Sequence, residues 1–75
     1  MDTVGKRLED TRRRQVLTQA ELAHKAGVSL ITVSRIENGG EDVNPRPATI
    51  RRIAAALGVD AGWLLFGDED VKRAA

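Results

Sequence analysis

The chain has no cysteine, one histidine, one tryptophan, one phenylalanine and two prolines in 75 residues. Without thiols there is no disulfide framework and no thiolate nucleophile, and a lone histidine cannot assemble a zinc site. No nucleophile stands beside a base and no second inward carboxylate accompanies Glu37, so neither catalysis, nor a metal, nor a cofactor is expected. No apolar run approaches the roughly 20 residues that span a bilayer. No charged-then-apolar leader opens the chain, so the expectation is a soluble, cytoplasmic protein without a membrane partner. Strand-period alternation, internal repeats and low-complexity tracts are also missing.

Charge is nearly balanced at +1, yet it is unevenly placed. Residues 1–35 carry seven Lys/Arg against four acids, while the remainder carries five against seven and ends near Asp68, Glu69 and Asp70. This sets one face toward phosphate and another away from it. A single domain this short buries only about 60% of its unfolded surface, so its stability is modest.

What the chain does have is helical periodicity. Val4, Leu8 and Arg12 recur at four-residue spacing, with Val16 beyond, predicting an amphipathic helix over residues 3–15. Arg12 is an odd member of that apolar stripe. Thr18-Gln19-Ala20-Glu21 is a capping box, in which the Thr18 hydroxyl accepts from the third amide and Glu21 reaches back, so a second helix starts at Thr18. Ser29 is the N-cap of a third helix that runs toward Asn38 and stops at Gly39-Gly40, where left-handed backbone comes easily. A polar loop over residues 40–44 leads through Pro45-Arg46-Pro47 into a fourth helix with Ile50, Ile53, Ala54 and Leu57 as its buried stripe. Gly58 ends it. Asp60 caps a short fifth helix, closed by Gly67, in which Trp63, Leu64 and Leu65 add the bulk a small core needs. Residues 1–67 form one domain, and residues 68–75 are a charged tail expected to fray.

The second and third helices carry the most specific pattern. Leu22, Ala23 and Ala26 form an inner face, Gly27 supplies a positive-φ turn, and Val28, Val33 and Ile36 face inward afterwards. A side chain larger than Ala23 would push the next helix away. This is a helix-turn-helix pattern, and it points to reading of double-stranded DNA. Ile31, Ser34, Arg35 and Asn38 lie opposite Val33 and Ile36, with Leu30 at the helix start, where side chains of a helix in the major groove come closest to base edges. Arg35 offers two parallel donors to guanine, Leu30 and Ile31 offer apolar surface to thymine methyls, and Ser34 donates or accepts. The plainer alternative makes Leu30 and Ile31 core or dimer contacts and Arg35 a solvated charge. Gln19, at the positive end of the second helix, is a phosphate candidate, as are Thr32 and Arg46 near the starts of the third and fourth. Each is otherwise ordinary polar surface, the reading that also fits Arg13, Arg14, Arg51, Arg52 and His24. Arg12 and Glu37 fall on the inward stripes of their own helices. Each is costly to bury alone, and together they make a structural ion pair tying the first helix to the end of the third.

The stretch TQAELAHKAGVSLITVSRIENG, followed by TIRRIAAALGV and GWLLFG, resembles the Cro/cI-type helix-turn-helix regulators, the xenobiotic response element family, over residues 3–67. The resemblance implies an all-α, compact five-helix lambda-repressor-like domain that binds pseudo-palindromic operators as a dimer, mostly as a transcriptional repressor. It implies phosphate contacts from Gln19 and Asn38, base contacts from Leu30, Ile31, Ser34 and Arg35, and an internal Arg12–Glu37 pair. Three departures qualify it. The loop after Gly39 is longer than usual and carries Glu41 and Asp42 where relatives often have Lys or Arg, which weakens phosphate affinity. Leu30 and Ile31 replace Gln, Ser or Thr, so methyl contact substitutes for hydrogen bonds. Phe66 is apolar where the family is often polar, and with Leu65 it forms a patch through which two copies meet, or else covers the core. A homodimer on DNA would set two reading helices about 34–36 Å apart. No small-molecule ligand is expected. The competing reading is a protein-interaction module, an antitoxin or adaptor, gripping another polypeptide through Leu30, Ile31 and Phe66.

Overall fold

Helix starts are set by side chains that satisfy the first free amides. In the computed structural model, which describes residues 2–68, Thr3 accepts from the Lys6 amide and opens α1 (Val4–Arg14). Thr18 accepts from Glu21 and opens α2 (Gln19–Ala26), and Ser29 accepts from Thr32 and opens α3 (Leu30–Asn38). Asp60 accepts from Trp63 and opens α5 (Ala61–Phe66). Among the α-helices of the described residues, only α4 (Pro47–Leu57) starts without such a bond, behind Pro47, whose missing N–H needs no partner there. The Thr18 box is reciprocal, with Glu21 Oε1 accepting from the Thr18 amide at 2.9 Å. These bonds, the backbone one foremost, hold the Glu21 carboxyl below the usual carboxylate range. No strand occurs among the described residues, and none of their helices is long and apolar enough to cross a membrane.

The apolar stripes meet in one core. Leu8 from α1, Leu22 from α2, Val33 from α3, Ile50 and Ile53 from α4 and Leu64 from α5 are fully buried, and Leu17, Val28, Val43, Trp63 and Leu65 pack on them from the edges. α3 rests on α1 and α2, while α4 bridges α2 and α5. Gly27 turns the chain between α2 and α3 at φ 71°, the left-handed geometry that only glycine adopts without strain. The α3 rod is thereby held across the end of α2 with one flank inward and the other free.

Three details differ from the sequence pattern. Val16 does not extend the α1 stripe: it is 88% exposed at φ 57°, and Leu17 packs inward in its place. A β-branched residue at positive φ is strained. The bonds on either side enforce it, with the Val16 amide donating to the Arg13 carbonyl at 3.0 Å and the Leu17 amide to that of Arg12 at 3.2 Å. Gly39 is right-handed at φ −79°, and only Gly40 is left-handed, at φ 60°. Gly39 is required for space instead, since a Cβ there would lie 2.6 Å from Val43 Cβ and 2.8 Å from the Arg35 carbonyl. The stretch read as a polar loop winds a 3-10 turn at Gly40–Asp42 that returns Val43 to the core. Apart from Asp68, the tail lies outside the described residues.

Two further contacts fix α1. Arg7 is buried although it lies off the Val4–Leu8–Arg12 row: Nε and Nη2 donate to the Leu64 and Leu65 carbonyls at 2.9 and 2.8 Å, and Nη1 pairs with Asp2 at 2.9 Å. A cation set on the last carbonyls of α5 also meets the negative end of that helix. Gly5 lets the α1 backbone touch the carbonyls of Ile36 and Glu37 at the end of α3.

Candidate nucleic-acid interface

Because Val33 and Ile36 point into the core, the opposite flank of α3 points outward. Leu30 is 48% and Ile31 62% exposed, Arg35 and Asn38 are exposed, and Ser34 is half-buried. Asn38 Nδ2 donates to Ser34 Oγ at 3.2 Å, so these two polar groups are tied to one another a turn apart. Thr32 shares a 2.8 Å hydroxyl bond with Ser29 at the helix start. Among the described residues, Arg35 has no acidic partner. The result is an aliphatic pair beside an uncommitted guanidinium on a straight rod.

Beside this face lies an open cleft of about 410 Å³ between α3, the loop and the start of α4. Thr32, Arg35, Asn44, Arg46 and Thr49 supply its polar lining. Two guanidiniums and no acid thus surround the positive end of α4, an environment suited to a phosphate oxygen. Glu41 and Asp42, on the 3-10 turn, are exposed but do not line the cleft.

On the other side, Gln19 opens α2 in a half-buried position. Its Nε2 donates to Glu37 Oε1 at 3.0 Å. Glu37 also accepts a two-pronged fork from Arg12, Nε to Oε2 at 2.7 Å and Nη2 to Oε1 at 2.9 Å. The Glu37 side chain is fully buried and that of Arg12 is 10% exposed. The hydrogen bond to Glu37 is the main reason the Arg12 guanidinium holds its proton even more firmly than usual, against the opposing effect of burial. The structure therefore brings Arg12, Glu37 and Gln19 into one network and groups Arg35 with Arg46 around the cleft. Leu65 and Phe66, on α5, separate in role: Leu65 packs on the core and Phe66 is 62% exposed.

A family model described as helix-turn-helix matches residues 8–64, well over half of the chain. The chain belongs to the Cro/cI-type helix-turn-helix family. This helix-turn-helix domain is similar to the HTH-type transcriptional repressor RghR of Bacillus subtilis, with 41% identity over 88% of this chain and 48% of that protein. It is 44% identical to the uncharacterized HTH-type transcriptional regulator RghRB of the same species, over 100% of this chain and 58% of that one. The immunity repressor protein of Bacillus phage phi105 is 36% identical over 95% of this chain and 49% of its own length. The helix-turn-helix chain spans about half the length of these curated relatives. Among solved structures, it is similar to the P22 c2 repressor crystallised with a synthetic operator, with a TM-score of 0.80 and 26% identity over 91% of this chain and 100% of that one.

Proposed function

We propose that this helix-turn-helix domain is the DNA-reading part of a transcriptional repressor, acting in the cytoplasm on a pseudo-palindromic operator as a homodimer with α3 in the major groove. The observation that carries the proposal is the uncovered Leu30–Ile31–Arg35 surface, flanked on both sides by groups suited to phosphate. Leu30 and Ile31 pack on thymine methyls, Arg35 donates to guanine O6 and N7, and Ser34 adds a hydroxyl. Gln19, Thr32, Asn38 and Arg46 hold the sugar-phosphate backbone and set the register without carrying sequence information. One module of this size buries only about 600–1,000 Å² of its own surface on DNA and binds weakly at cellular salt. A second copy doubles the phosphate contacts, and exposed Phe66 with the rim of Leu65 is the patch through which the copies meet.

Arg35→Ala is expected to weaken binding to the preferred operator about 10–100-fold, the discrimination of one bidentate contact. Binding to an unrelated duplex should change by no more than about threefold, because non-specific affinity is shared among many phosphate contacts. Fluorescence anisotropy titrations on both duplexes, repeated across salt concentrations, check this. Equal losses on both duplexes would remove Arg35 from base reading. Failure to bind either duplex even at low salt would instead favour a polypeptide partner for the Leu30, Ile31 and Phe66 surface, as in an antitoxin or adaptor.

A further inference from the structure

The hydrogen bonds beneath α2 connect a buried ion pair to the surface. One oxygen of Glu37, Oε1, accepts from Arg12 Nη2 at 2.9 Å and from Gln19 Nε2 at 3.0 Å. Arg12 Nη1 also donates to the Leu17 carbonyl at 2.8 Å, immediately before the N-cap of α2. The first turn of α2 is thus held at two points by groups rooted in α1 and α3. The side chain it turns toward solvent is anchored as well. A glutamine free in water must give up several rotatable bonds when it meets a ligand, whereas one donating to a buried carboxylate has already given up most of them. A lone carboxylate there would repel a phosphate. The Arg12 fork cancels that charge without displacing Gln19, because Oε1 accepts both donors.

We propose that Glu37 is a positioning residue for recognition of the DNA backbone: it holds Gln19 in the rotamer that meets a phosphate at the start of α2, while Arg12 neutralises the carboxylate that does the holding. This rests on the reading of Gln19 as a phosphate contact. The network then joins the α2 and α3 ends into one preset frame, and disturbing it alters a particular backbone contact as well as the fold.

The test is a double-variant cycle on an operator duplex, comparing the wild type, Gln19→Ala, Glu37→Gln and the pair, at a temperature where circular dichroism shows all four folded. Glu37→Gln keeps an oxygen for Arg12 but can no longer accept from every donor. Each single change is expected to weaken binding about 3–10-fold, and the pair should be within about twofold of the weaker single variant. Phosphate ethylation interference should lose the same phosphate in all three variants. Losses that multiply, or an interference pattern weakened evenly along the operator, would overturn the proposal and leave Glu37 a purely structural residue. A second measurement needs no variant: exchange of the Gln19 side-chain amide protons should be slowed in the free protein and remain slowed on DNA. Exchange as fast as that of an exposed glutamine in either state would also overturn it. If the wild type bound no duplex, the functional reading would fall and this inference with it; binding without coupling sinks only the inference.

Discussion

Glu37→Ala is expected to remove about 3 kcal/mol of folding free energy and to lower the thermal midpoint by roughly 12–24 °C. The change strips the acceptors from Arg12 Nε and Nη2 and from Gln19 Nε2 at once. A guanidinium only 10% exposed is left with the Leu17 carbonyl as its remaining partner. Losing one member of a buried pair is costly mainly because the survivor stays charged and poorly solvated; the lower end of the usual range applies here because water is never far away in so small a domain. A single core of this size rarely supplies more than about 3–5 kcal/mol, so the variant should be partly unfolded at 37 °C. Arg12→Met combined with Glu37→Leu is expected to recover most of the loss, since neither charge then needs a partner. Circular dichroism melts decide: a Glu37→Ala midpoint within about 5 °C of the wild type would show that the pair contributes little to the fold.

The second large effect is expected at Gly5, where the sign is informative. By helix propensity alone, Gly→Ala stabilises by up to about 1 kcal/mol. Here the added Cβ would run into the Ile36 carbonyl and come within 2.9 Å of the Glu37 carbonyl and 3.1 Å of Glu37 Cα. Those are backbone atoms that cannot swing aside, so α1 must lift from α3 and strain the Arg12–Glu37 fork at the same junction. Overpacking of this kind costs about 1–3 kcal/mol and sometimes more, so Gly5→Ala should destabilise by about 2–3 kcal/mol. Urea unfolding checks it, and a rise in the midpoint would show that the helices can part without penalty.

Both predictions concern the α1–α3 junction, which is only partly legible in the sequence. Arg12 is conspicuous because a charge on an apolar row needs a partner, and Glu37 repeats the anomaly on α3. The third member is not conspicuous: Gln19 sits at an ordinary polar position, and its bond reaches across 18 residues to Glu37. Arg7 looks like another surface charge beside Lys6, and only the folded chain brings it to carbonyls 57 and 58 residues away. Gly5 does leave a trace, since a glycine inside a helical pattern needs a packing reason, but the pattern does not name the neighbour. Val16 shows the opposite failure, as its spacing is right and the helix ends before reaching it. Caps and stripes are local and read well. The cleft shared by Arg35 and Arg46 depends on how the 3-10 turn at Gly40–Asp42 folds back, which spacing cannot supply.

If the outward flank of α3 reads base edges as one of a two-fold pair, the operator must carry that symmetry. Selection of bound duplexes from a random-sequence pool reads that symmetry out. The expected outcome is an enriched motif of two inverted half-sites about 34–36 Å apart, each with guanine and thymine positions, and a guanine preference that flattens in Arg35→Ala. No enrichment even at low salt would rule out DNA reading by α3.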